Sequence, residues 1–175
     1  MRLAASTLVL ALATPTTFAA DLPTAPFRRE HVEIKEHLRH LDTMAGALPA
    51  AKPEEQRRTM SVIAKFLHEH IRNHAEWEEA HLYPAVDKRT LAGANPFTAS
   101  MRYEHRIVGR SIDALTEMAA DPDSSPTEFA RSTDRLLGLI AAHFEEEEEV
   151  LLPILDKSMT KEEFETELGH QAAHH

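Results

Sequence analysis

His74-Ala75-Glu76-Trp77-Glu78-Glu79, followed by Leu82, Pro84 and Asp87-Lys88, returns as His143-Phe144-Glu145-Glu146-Glu147-Glu148, followed by Leu151, Pro153 and Asp156-Lys157. Every marked position stands at the same offset from its histidine. A histidine and a glutamate four residues apart lie one turn apart on one helical face, so both can reach a single point. Met once, His-x-x-x-Glu is a weak signal in a chain with 12 histidines. Met twice at matched offsets, it marks a duplication.

The segments ahead of these motifs match as well. Glu30-His31 is followed by Ile34, Leu38, Leu41 and Met44, and Glu104-His105 by Val108, Ile112, Leu115 and Met118. Both sets trace one apolar helical stripe. Proline and glycine punctuate the chain at Pro26, Pro49 and Pro53, at Gly93, Asn95 and Pro96, and at Pro122 and Pro126. Proline suits a first helical turn and is hostile to a helix interior. Ser125-Pro126-Thr127-Glu128 has the form of a helix start, and Asn95-Pro96 offers a similar cap. The reading is four helices, over about 26–48, 54–87, 96–120 and 126–156, joined by short linkers and therefore antiparallel. Thr160-Lys161-Glu162-Glu163 opens a short fifth helix ending near Gly169. The fold class is all-α: an antiparallel up-down four-helix bundle over 26–157, built from a duplicated helical hairpin, with a short C-terminal helix and tail over 158–175.

Composition agrees. Apolar residues make up 42% of 175 residues, and there are only five glycines. The formal net charge of -10 argues against nucleic acid or an anionic membrane surface as partner. With no cysteine, thiolate metal sites are excluded, and any metal must be held by histidine and carboxylate. The first twenty residues read as a secretory signal peptide: Met1-Arg2, an apolar run from Leu3 to Ala13, and small residues through Thr17, Ala19 and Ala20 for cleavage. The run is short for a permanent anchor, and no other stretch is long enough for a membrane helix. The expectation is a mature protein in the periplasm or outside the cell.

The two His-x-x-x-Glu helices supply His74 with Glu78 and His143 with Glu147. Each partner helix adds one histidine, His31 or His105, on the apolar stripe. His37 and His40 are turned about 120° and 180° from His31 and belong to a solvated face. Six nitrogen and oxygen donors suit two metals better than one, and the chemistry fits iron, manganese or zinc. Burying so many ionisable groups without metal would be costly.

The pattern His, His-x-x-x-Glu, His, His-x-x-x-Glu, with Glu-Glu-x-x-Leu-x-Pro after each second histidine, resembles the hemerythrin-like HHE cation-binding domain family. The resemblance covers roughly 26–157. It implies two iron ions in a non-haem, oxo- or hydroxo-bridged centre, with His31, His74, His105 and His143 as terminal ligands and Glu78 and Glu147 as bridges. Oxygen-carrying members have a further histidine one turn after the third-helix histidine, where this chain has Gly109, and an aspartate where it has Glu148. The internal repeat favours Glu147 over Glu148 as the ligand. Four histidines in place of five leave one iron an additional open position. Gly109 either leaves room there for a small molecule or lets two helices pack closely.

Other residues carry less. His70 and His81 share the face of His74, as neighbours of the site or as surface histidines. Trp77, Tyr83 and Tyr103 are read as bundle aromatics without chemistry. The run Glu145–Glu149 is read as a solvated acidic face apart from Glu147, and His170, His174 and His175 as tail. The functional expectation is an exported di-iron protein that binds or reacts with oxygen or nitric oxide, for sensing, delivery or detoxification. Iron or other metal storage, or a peroxidase-like or nitric-oxide-reducing enzyme fed by an electron-donor protein, are the alternatives.

Overall fold

A computed structural model describes residues 21–90 and 96–169, with side chains at 96 and 97 excluded. The signal-peptide reading, the break at Gly93 and Asn95, and the tail histidines lie outside the described residues. Among those described, there are five helical stretches and no strand. They are α1 (Ala25–Ala47), α2 (53–89), α3 (Pro96–Ala120), α4 (126–158) and α5 (Lys161–Leu168). The first four form the bundle, each packed on its sequence neighbours, and α4 closes the ring against α1. Among the described residues, no helix is long and apolar enough to cross a membrane.

The helix starts follow local chemistry. Pro53 and Pro126 sit in first turns. The Ser125 hydroxyl accepts a hydrogen bond from the Glu128 N–H at 3.3 Å. Thr160 and Glu163 form a reciprocal capping box that starts α5. We expect Ser125→Ala to lower stability by about 1 kcal/mol, read from a urea midpoint, because one exposed N–H loses its partner.

Pro84 and Pro153 lie inside α2 and α4, where a regular helix would clash with them. Each is preceded by one wide π turn, at Glu78–Leu82 and Glu147–Leu151, closed by Tyr83 N–H to Glu78 O and by Leu152 N–H to Glu147 O. The wide turns shift the carbonyls ahead of the prolines, so both helices continue past them. A third wide turn, Leu67–Ile71, has no counterpart in α4.

The duplication extends to a polar clamp. Asp156 accepts hydrogen bonds from the Thr24 hydroxyl at 2.8 Å and from Arg28 at 3.1 Å, and Arg28 also donates to the Glu148 carbonyl. In the other half, Asp87 accepts from Thr98 and Arg102, and Arg102 donates to the Glu79 carbonyl. These clamps tie the start of α1 to the end of α4 and the start of α3 to the end of α2.

Two apolar cores fill the bundle. One gathers Leu38, Leu41, Ile63, Leu67, Ile112, Leu115, Phe129 and Ile140. The other gathers Phe27, Val86, Met101, Leu152 and Leu155 with Phe164 and Leu168 of α5. Ile34, Leu38 and Leu41, and their counterparts Val108, Ile112 and Leu115, are all buried. Between the cores lies a buried polar layer: His31, His74, Glu78, His105, His143 and Glu147.

Candidate metal centre

All six sequence-selected residues come together in that layer. His31 Nε2 and His74 Nε2 are 3.3 Å apart, and His105 Nε2 and His143 Nε2 are 3.0 Å apart. Glu78 stands between the pairs. Its Oε1 is 2.8 Å from His74 Nε2, and its Oε2 is 3.1 Å from His105 Nε2. Glu147 Oε2 lies 3.6 Å from His31 Nε2, and its Oε1 lies 3.6 Å from His143 Nε2. Among the described residues, donor atoms close enough to share one ion form two groups, His31, His74, Glu78 and Glu147 in the first, Glu78, His105 and His143 in the second.

Both oxygens of Glu78 and Oε2 of Glu147 are buried and accept no well-aligned hydrogen bond, although imidazole nitrogens stand close to them. Orphaned carboxylate oxygens are expensive in a protein interior. Facing imidazole nitrogens with an all-nitrogen-and-oxygen donor set, they fit a bound cation. Without one, the layer has to hold protons. Burial alone would strip the proton from His74, but Glu78 and Glu30 outweigh it and raise its pKa to about 10. Burial and the neighbouring Glu78 push Glu147 well above the usual carboxylate range. Burial also opposes ionisation of Glu78, yet His74, His105 and His31 together hold it well below that range. Metal binding must displace such protons.

Each imidazole is held from behind. His74 Nδ1 is 3.1 Å from Glu30 Oε1, His105 Nδ1 is 3.2 Å from Glu79 Oε1, His143 Nδ1 is 2.8 Å from Glu104 Oε2, and His31 Nδ1 is 3.0 Å from Glu148 Oε1. The carboxylates run in a ring: α1 supports α2, α2 supports α3, α3 supports α4, and α4 supports α1. A carboxylate on Nδ1 fixes the tautomer that presents Nε2 to a metal. We expect Glu104→Gln to weaken metal affinity about 10- to 100-fold without unfolding the bundle, measured by competition with a chromophoric chelator.

Several sequence readings change. Glu148 is not part of a solvated face: it is half-buried between His31 and Lys35, with Lys35 Nζ donating at 2.8 Å. Those contacts overcome partial burial and lower its pKa to about 2. Glu147 lies in the buried layer among the donor atoms, and Glu148 backs His31 from behind. Tyr83, read as a plain core aromatic, is fully buried with its hydroxyl in the centre. It donates to Glu147 Oε1 at 2.8 Å and lies 3.1 Å from His105 Nε2 and 3.4 Å from His143 Nε2. The sequence carried one sign of this: Leu152 occupies the matching place in the second half. His37, His40 and His81 are exposed, and His81 stacks on Trp77. His70 is half-buried against Phe66, outside both donor groups.

Gly109 is decided for space rather than close packing. A Cβ built there would meet only Arg72 Nη1, at 4.0 Å. It borders a cleft of about 410 Å³ between α2 and α3 that reaches His105. Arg72 spans this cleft, donating to the Gly109 carbonyl and to Asp113. His105 is 8% exposed, against 3% or less for the other five residues of the layer.

A four-helix bundle with a buried histidine–glutamate cluster between two apolar cores defines a metal-binding helical protein. The model of the hemerythrin HHE cation binding domain matches residues 22–155, and the chain belongs to that family. Comparison with curated proteins and with solved structures found no match.

Proposed function

We propose that this is an exported di-iron protein that binds or reacts with a small diatomic ligand, oxygen or nitric oxide. The observation that carries the reading is Glu78, whose two oxygens each face a different histidine pair. That arrangement suits a carboxylate bridging two ions. His31, His74, His105 and His143 would be terminal ligands, and Glu147 a second bridge. Bound iron would supply the electrons that stabilise a reduced diatomic ligand. The chain supplies a dry setting, with Phe144 stacked on His31 at 4.3 Å, and the carboxylates that orient the imidazoles. The cleft beside Gly109 offers the small ligand a way to the His105 side. Export rests on the first twenty residues alone.

The test is metal content together with absorption spectra of the reduced protein before and after oxygen, and separately nitric oxide. About two irons per chain, with bands that change on gas exposure, support the reading. One zinc per chain, or a spectrum indifferent to both gases, overturns it. Gly109→Leu should leave metal content unchanged and slow the spectral change in stopped flow, because its side chain fills the cleft over His105.

A further inference from the structure

The two donor groups are unequal. Four protein residues lie within sharing distance of one another in the first and three in the second, with Glu147 Oε1 standing off at 3.6 Å from His143 Nε2. Tyr83 stands at the gap. Two donors on one ion, each about 2.0–2.1 Å from it and 90–110° apart, are separated by about 2.9–3.4 Å. The phenolic oxygen and the two imidazole nitrogens make a triangle with edges of 3.0, 3.1 and 3.4 Å. Glu78 Oε2 adds a further donor 3.1 Å from His105 Nε2. We propose that Tyr83 is a seventh metal ligand, its phenolic oxygen joining His105, His143 and the two bridging glutamates at the second position.

The backbone explains how a residue five places after Glu78 reaches the same centre. In a regular helix, residues five apart are turned about 140° from one another. The wide turn Glu78–Leu82, closed by Tyr83 N–H to Glu78 O, brings the two toward one side. The matching turn in α4 delivers Leu152, buried and without a donor atom. The duplicated frame thus carries an oxygen donor on one side only. Binding to a trivalent ion breaks the phenolic O–H bond, forms the oxygen–metal bond and releases the proton to solvent, with no change in electron count. The inference rests on the iron centre proposed above.

The chain has two tyrosines, and Tyr103 is 52% exposed, so a tyrosine signal from the centre can be assigned. The experiment loads the purified chain with iron, oxidises it in air, and records resonance Raman spectra in its visible band. Tyrosinate ring modes should appear, persist in Tyr103→Phe, and vanish in Tyr83→Phe while that variant keeps about two irons. A two-iron wild-type protein without tyrosinate modes overturns the inference and leaves the di-iron reading intact. Modes lost only in Tyr103→Phe also overturn it. A chain that takes up no iron overturns both. Because the wild-type and Tyr103→Phe spectra are decisive, the test does not depend on Tyr83→Phe folding.

Discussion

Glu78→Gln will lose metal from both positions, whereas His143→Ala will lose it from one. Glu78 is the only residue common to the two donor groups. An amide keeps its size but removes the negative charge, and the nitrogen that replaces one oxygen cannot act as a donor to a cation. Metal analysis after loading should give about two ions per wild-type chain, about one for His143→Ala, and well under one for Glu78→Gln. Circular dichroism should show helical bundles in all three. Equal metal content in Glu78→Gln and wild type would show that the bridge is not at Glu78.

Removing the metal should have the other large effect. At a free metal concentration a thousandfold above its dissociation constant, one bound ion stabilises the native state by about 4 kcal/mol. For a chain of this size each kcal/mol moves the melting midpoint by about 2–4 °C, so chelation should lower it by about 8–16 °C per ion lost. The metal-free protein also retains the burial penalty of both Glu78 oxygens and of Glu147 Oε2, which accept no hydrogen bond there. A midpoint unmoved by a strong chelator would mean that the polar layer is satisfied without a cation.

The sequence carried much of this because the chain repeats itself. The repeat selected His31 over His37 and His40, since only one register matched an apolar stripe seen twice. It favoured Glu147 over Glu148 for the same reason. Features that break the repeat were harder to read. Tyr83 has a leucine at its matching place, and an aromatic at a core position is ordinarily just volume. The wide turns left only Pro84 and Pro153 as traces, because a change of helical pitch leaves no change in residue type. The supporting carboxylates were hidden differently. Glu30 and Glu104 repeat faithfully, but a glutamate beside a buried histidine points around the helix to a neighbour that only the packed bundle identifies.

That ring of carboxylates also bears on handedness. Apolar stripes on four antiparallel helices can be closed into a bundle turning either way, since greasy faces have no preference for the neighbour on the left or the right. Glu30 sits one residue, about 100°, around α1 from His31, and so faces a single flank, where α2 lies. In the mirror arrangement α2 and α4 would exchange places. Glu30 would then look away from His74, Glu79 from His105, Glu104 from His143 and Glu148 from His31. Four short polar contacts thereby exclude the competing topology, a discrimination that the hydrophobic cores cannot make by themselves.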